Sequence, residues 1–288
     1  MYWENADHSW SKDSERVINT PSQKSKELFF YLQEVGSFKA FKPYYTEREH
    51  LPSYLMKFTR NGSGLLNYQG KEYELHPGDI FLIDCQIYQH YKTISEEPWE
   101  MDWIHFNGSN SDKLYQEFIK DGTPIFHTKQ QPEENIIHHL IHRLIKNQTY
   151  THARTDFSNS ILIHELLNEL ILQKYELNFN LEEIPLHVTN LKKYLDNHFQ
   201  QKITLDHLEE RFHLNKYQLN KEFSRYIGIP PIEYLITLKI SYAKDLLRYS
   251  DSTIQSISAS IGVDNFAYFS RLFKSRTGMS PSFYRKQG

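Results

Sequence analysis

Two periods of hydrophobic and polar positions divide the chain. Over residues 27–108, short runs rich in Tyr, Phe, Ile and Leu are broken by turn-forming clusters, a spacing that predicts strands. The turns fall at Asn61-Gly62-Ser63-Gly64, Gln69-Gly70 and His76-Pro77-Gly78-Asp79, and the strands at 53–59, 64–68, 80–83 and 99–106. Several short strands so spaced predict a sandwich or a small barrel. After Pro132 the period becomes helical. Ile136, Ile137, Leu140, Ile141, Leu144 and Ile145 share one face, and a second helix carries Phe157, Ile161, Leu162, Leu166, Leu167, Leu170 and Ile171. Two such helices either cap the barrel or pair with a second subunit.

Pro185 punctuates the chain before a further set of helices that holds an internal repeat. Leu219-Asn220-Lys221-Glu222-Phe223, Gly228, Pro231 and Tyr234 recur fifty positions later as Phe269-Ser270-Arg271-Leu272-Phe273, Gly278, Pro281 and Tyr284. Thr204-Leu205 with Leu208 matches Thr253-Ile254 with Ile257 at an offset of forty-nine. Each unit predicts a capped short helix, a tight turn and a second helix. On the second helices, Leu219 with Phe223 and Phe269 with Phe273 point inward, which turns Asn220, Lys221, Ser270 and Arg271 outward. Their donors suit base edges and phosphates in a major groove. A helix over 232–248 joins the units. If it sets them about 34 Å apart, both heads reach successive grooves on one side of a duplex.

Charge supports that reading once it is divided. The net −3 separates at Ile184 into −9 over residues 1–184, with 18 Lys and Arg against 27 Asp and Glu, and +6 over 185–288, with 15 against 9. A basic third joined to an acidic remainder fits a chain in which only that third meets a polyanion. At 288 residues, 39% of them apolar, the chain has material for two folded domains. Its apolar runs are far shorter than the roughly 20 residues of a membrane span. Residues 1–26 are polar and show no secretion signal, which makes the cytoplasm the default. They read as an unstructured tail or as an arm folded over a pocket, with the tail favoured. The lone Cys85 excludes an internal disulfide and a Cys-rich zinc module.

From about Val188 to Arg285 the sequence resembles the DNA-binding domain of the AraC family of transcription regulators. The family signature is seen in residues 257–274, Ile-Ser-Ala-Ser-Ile-Gly-Val-Asp-Asn-Phe-Ala-Tyr-Phe-Ser-Arg-Leu-Phe-Lys, with Gly278-Met279-Ser280-Pro281 and Tyr284-Arg285 following. Two departures stand out: Val263 where the family carries Phe, and Glu209 where the first unit carries Ala. The resemblance implies that Tyr217, Asn220 and Lys221 face DNA in the first unit, and Asn265, Phe266, Ala267, Ser270 and Arg271 in the second. Lys221 and Arg271 are selected by both the outward-facing argument and the resemblance.

The acidic half resembles the cupin-type sensor domain of many members of that family, on Arg60-Asn61-Gly62-Ser63-Gly64, residues 73–79, His90-Tyr91 and residues 99–106. The implied architecture is α+β: a polar arm over 1–26, a cupin-like ligand-sensing barrel over 27–130, a helical linker or dimerisation segment over 131–184, and a double helix-turn-helix domain over 185–288. A metal-dependent cupin enzyme is the alternative. Such enzymes need a His-X-His, a following Glu and a later His. No His-X-His occurs, and His90 alone stands at the later position. His138 and His142 have chelating spacing but read as a solvated helix face. No metal, cofactor or catalytic residue is therefore implied.

A pocket lined by aromatics and a few polar groups remains. In an arabinose-binding member of the family, the sugar-binding Arg corresponds to Arg60 with one residue inserted, its Tyr and Trp contacts to Tyr91 and Trp103, and a His to Met101. With His90, these five form the expected ligand site. A forked guanidinium and an indole face suit a sugar or related polar metabolite, other than arabinose. Trp99 reads as core. The implied partners are operator DNA, a small-molecule effector, a second copy of the chain and, for an activator, RNA polymerase.

Overall fold

The computed structural model describes residues 1–108, 110–149, 154–177 and 183–287. They form two compact units, Met1–Asn178 and Phe179–Gly288. The predicted barrel and linker helices share the first unit, and the division falls a few residues before Pro185.

In the first unit, two antiparallel sheets enclose an apolar core. One runs in the order β1 (Trp3–Asp7), β4 (Tyr45–Glu49), β9 (Gln89–Thr93), β6 (Gly64–Tyr68) and β7 (Lys71–Leu75). The other runs β11 (Ile125–His127), β8 (Asp79–Asp84), β5 (Tyr54–Asn61), β10 (Trp99–Gly108), β3 (Phe30–Ala40) and β2 (Glu15–Ile18). Residues 1–26 are thus not an unstructured tail. β1 pairs with β4 and β2 with β3, each extending a sheet edge, and the short α1 (Gln23–Leu28) follows β2. Both strands are mostly exposed, so backbone pairing makes them and no apolar alternation announces them.

The six-stranded sheet is covered on both faces. Trp99, Met101 and Trp103 of β10 point between the sheets, while Ile104 and Phe106 point outward. Against that outer face pack α2 (Ser111–Phe118), α3 (Ile136–Thr149) and α4 (Thr155–Lys174). Leu140, Ile141 and Leu144 of α3 and Ile163, Leu166 and Leu170 of α4 are fully buried there with Met56, Phe58 and Ile104. Each such side chain contributes about 1.5–3 kcal/mol by leaving water, so the helices cap the barrel. Phe157 and Ile161, on the predicted apolar stripe, stay 49% and 67% exposed.

In the second unit, α5 (Leu186–His198) precedes α6 (Leu205–Phe212) and α7 (Lys216–Ile227); α8 (Pro231–Tyr249) leads to α9 (Ile254–Ser260), α10 (Phe266–Thr277) and α11 (Pro281–Gln287). The repeat holds down to single hydrogen bonds. Thr204 and Thr253 cap α6 and α9, and Asn215 and Asn265 cap α7 and α10, each through its side-chain oxygen. Gly228 and Gly278 end α7 and α10 at φ of 91° and 79°. Phe223 meets Tyr234 at 5.6 Å between ring centres, and Phe273 meets Tyr284 at 5.4 Å. Each hairpin has its own core, and α8 supplies both: Leu235 to the first, Ile240, Ala243 and Leu247 to the second. Buried Lys239 in mid-α8 donates to the carbonyls of Gln201 and Ile261, tying the two hairpins together.

Candidate functional site

Burial of Leu219 with Phe223, and of Phe269 with Phe273, fixes which faces of α7 and α10 meet solvent. On α7, Tyr217 is 74% exposed and Lys221 lies one turn on, its Nζ 5.9 Å from the tyrosine ring centre. Asn220 is half-buried beside them. On α10, Phe266, Ala267 and Arg271 are exposed and Ser270 half-buried. Asn265 is engaged differently from the other seven: its Oδ1 accepts from the Tyr268 amide at 2.9 Å and caps the helix. Tyr268 and Lys274 add to the exposed surface of α10, although the family resemblance does not select them. Glu209 leaves the first core intact, because its carboxylate turns toward Lys216 at 3.8 Å while Leu208 stays buried. Val263 packs against the second core.

Between the sheets of the first unit lies a cavity of about 210 Å³. Of the five expected ligand residues, Tyr91 and Trp103 line it. Met101 is buried next to it, its Sδ 3.2 Å from Lys57 Nζ. Arg60 and His90 do not line it. On β5, Leu55 points inward with Lys57 while Met56 and Phe58 point to the helices, and Arg60 follows the latter parity. On β9, Gln89 and Tyr91 are buried between the sheets, which sends His90 to the outer surface beside Tyr45. Trp99 is core, its Nε1 donating to Thr59 Oγ1 at 3.1 Å.

Sequence reasoning missed the residues that give the cavity its charge. Arg48, Lys57 and His105 line it with Tyr44, and Glu4, His8 and Trp10 of the N-terminal segment close its mouth. Arg48 donates to Tyr91 Oη at 2.5 Å. Lys57 donates to Tyr44 Oη at 3.1 Å and sits 3.9 Å from the Tyr91 ring centre. Burial, with Arg48 close by, holds the Lys57 ammonium well below the usual lysine range. The same two causes keep His105 neutral.

Arg60 instead joins a cluster between β10 and α3. Asp102, fully buried, accepts from His138 Nδ1 at 2.5 Å, and its other oxygen lies 3.2 Å from Arg60 Nε and 3.7 Å from His142 Nε2. His138 is therefore clamped to a strand, while the His142 side chain stays 41% exposed close to the same carboxylate, so the pair is not the wholly solvated face expected from its spacing. Burial alone would raise the Asp102 pKa, but the hydrogen bond from His138, with the His142 ring and the Arg60 charge close by, outweighs it and holds the carboxyl at about 2. The nearby Asp102 carboxylate raises His142. Three donor atoms within 4.8 Å of one another form a cation-sized group, yet Arg60 already brings a positive charge to the same carboxylate.

A double helix-turn-helix unit with two exposed second helices, joined in one chain to a barrel with a polar cavity, defines a DNA-binding transcription regulator with a ligand-binding domain. Two family models match it, an AraC-like ligand binding domain over residues 32–171 and a helix-turn-helix domain over 208–287. The chain belongs to the AraC family of transcription regulators and is not an enzyme. It is 26% identical over 261 residues to the MmsAB operon regulatory protein of Pseudomonas aeruginosa, covering 89% of this chain and 83% of that one. It is also 26% identical to the lactose operon transcription activator of Staphylococcus xylosus, covering 80% and 83%. The arabinose operon regulatory protein of Salmonella typhimurium is 25% identical, with 82% and 84% covered. Among the described residues, no helix is long and apolar enough to cross a membrane.

Proposed function

We propose that this regulator is a cytoplasmic, homodimeric activator that answers to a small polar metabolite, of sugar or related type, held in the barrel, and that RNA polymerase is its further partner. One juxtaposition on β10 carries the sensory reading. Trp103 lines the cavity, and the adjoining Asp102, on the other face of the same strand, clamps α3 through His138. A ligand that shifts Trp103 therefore acts on a strand bound to a linker helix. It can bias the arrangement of the reading helices only as far as it binds one arrangement better than another. The lactose and arabinose operon relatives support the sugar class. Selecting duplexes from a random pool with the full chain should enrich a site with two contacted segments about one helical turn apart. No enrichment, or binding with a flat salt dependence, would count against the DNA reading.

The dimer reading rests on Leu28, Phe157 and Ile161, which are 60%, 49% and 67% exposed. Leu28 and Ile161 border one shallow surface depression, and the Phe157 ring lies 4.7 Å from that of Phe29, tilted by 57°. A second copy of the same surface would cover these side chains. Ile161→Glu should shift the sedimenting species from dimer to monomer without lowering the melting temperature of the protomer. A variant that still sediments as the wild type does would move the interface elsewhere.

A further inference from the structure

Three basic side chains, Arg16, Arg48 and Lys57, line the barrel cavity against two acids, Glu4 and Glu34. Lys57 is 2% exposed; Tyr44 Oη, Met101 Sδ and the Tyr91 ring touch it, Arg48 is the charge close by, and among the described residues no carboxylate pairs with it. Arg48 is 9% exposed, with Tyr91 Oη at 2.5 Å, His105 Nε2 at 3.2 Å and one carboxylate, Glu4, at 3.4 Å. That glutamate sits at the mouth on β1, a third of its side chain exposed. The other acid at the mouth, Glu34, is already paired with Arg16 at 2.8 Å. Two buried donors, Arg48 Nε and Trp103 Nε1, have no hydrogen-bond partner among the described residues. Burial without a counter-charge disfavours the Lys57 ammonium, and a Met or Leu in its place would fill the same core without that cost.

Resting on the proposed sensory role of the barrel, we infer that the effector is a small hydroxylated organic anion whose acidic group sits between Arg48 and Lys57. The Arg48 guanidinium offers donors to a carboxylate or phosphate, and Lys57, whose charged form an entering anion favours, adds a point charge. Trp103 and Tyr91 present ring faces for the C–H side of the ligand, and the unpaired Trp103 Nε1 offers a donor to a hydroxyl. The cavity, about 210 Å³, has the room of roughly seven waters at about 30 Å³ each, which suits a molecule of monosaccharide size. A neutral sugar needs no counter-charge, whereas Arg48 and Lys57 are both buried here and, among the described residues, Glu4 alone is a carboxylate paired with either of them.

The test uses the full chain at fixed ionic strength, with thermal unfolding and calorimetric titration. D-galacturonate and D-gluconate probe a carboxylate, D-glucose 6-phosphate a phosphate, and D-galactose and D-glucose are the neutral counterparts. At least one anion should raise the melting temperature and bind tenfold or more tightly than its neutral counterpart; the stronger of the carboxylate and phosphate arms identifies the acidic group. Lys57→Met should remove that preference while unfolding no earlier than the wild type, and Arg48→Gln should weaken the anion by tenfold or more. A neutral sugar that binds equally well overturns the anion inference and leaves the barrel a sensory site. No response to any anion, or a response that survives both substitutions, also overturns it, and the DNA reading then stands on its own test.

Discussion

Replacing Lys221 or Arg271 by Ala is expected to weaken operator binding by roughly 1–3 kcal/mol each, about 5- to 150-fold. Both side chains are exposed on second helices whose inward faces are fixed by fully or nearly fully buried residues, so neither change touches a core. The two positions belong to separate hairpins with separate cores, and their effects should add within a few tenths of a kcal/mol. Salt titration separates the two roles a side chain can play. If it neutralises a phosphate, its removal flattens the salt slope by about one unit and weakens binding to all sequences alike; if it reads a base edge, its removal relaxes preference at one position. Unchanged affinity in both single variants, measured by fluorescence anisotropy on a selected duplex, would remove α7 and α10 as the reading helices.

The repeat is the most legible part of the sequence because each of its signals is local. Caps, glycines at positive φ and residues four apart on a helix depend on few neighbours, and the matched pairs Thr204 with Thr253 and Gly228 with Gly278 hold the same places in the two hairpins. The barrel's strands are legible from their turns, yet its site is not. A strand alternates with a period of two, so one inserted residue sends a side chain to the opposite face. Arg60 corresponds to the sugar-binding Arg only across such an insertion, and it faces the helices. The true floor does leave a signal: Lys57 stands inside Leu55-Met56-Lys57-Phe58, a lone cation in a run that is buried on both faces. Asp102, between Met101 and Trp103, is the same kind of signal and marks the clamp. The N-terminal strands leave no such trace, since edge pairing asks little of side chains.

Asp102→Asn is expected to lower the stability of the chain by about 3–5 kcal/mol, as removing one partner of a buried ion cluster leaves the remaining charges uncompensated. The charges left facing one another would be Arg60 and, when protonated, His138 and His142, with Glu100 at 3.7 Å and Glu133 at 3.9 Å from Arg60 as the remaining acids and Glu15 acting on His142. The pH dependence fixes the sign. Asp102 titrates at about 2 in the folded chain against 3.8 for an ordinary Asp, so its contribution is complete above about 4 and is lost as pH falls toward 2. His142 is raised above 6.5, so its contribution is complete below that value and is lost as pH rises through the folded pKa. The clamp is therefore strongest between these limits and loosens first on the alkaline side. Urea unfolding from pH 5 to pH 9 should show a decline above 6.5 in the wild type that Asp102→Asn lacks. Because β10 carries Trp103 in the cavity beside Asp102, the same substitution should also uncouple ligand binding from DNA affinity while ligand still binds. Parallel pH curves for the two proteins, or coupling that survives the substitution, would leave Asp102 a packing residue and send the ligand's signal along another element.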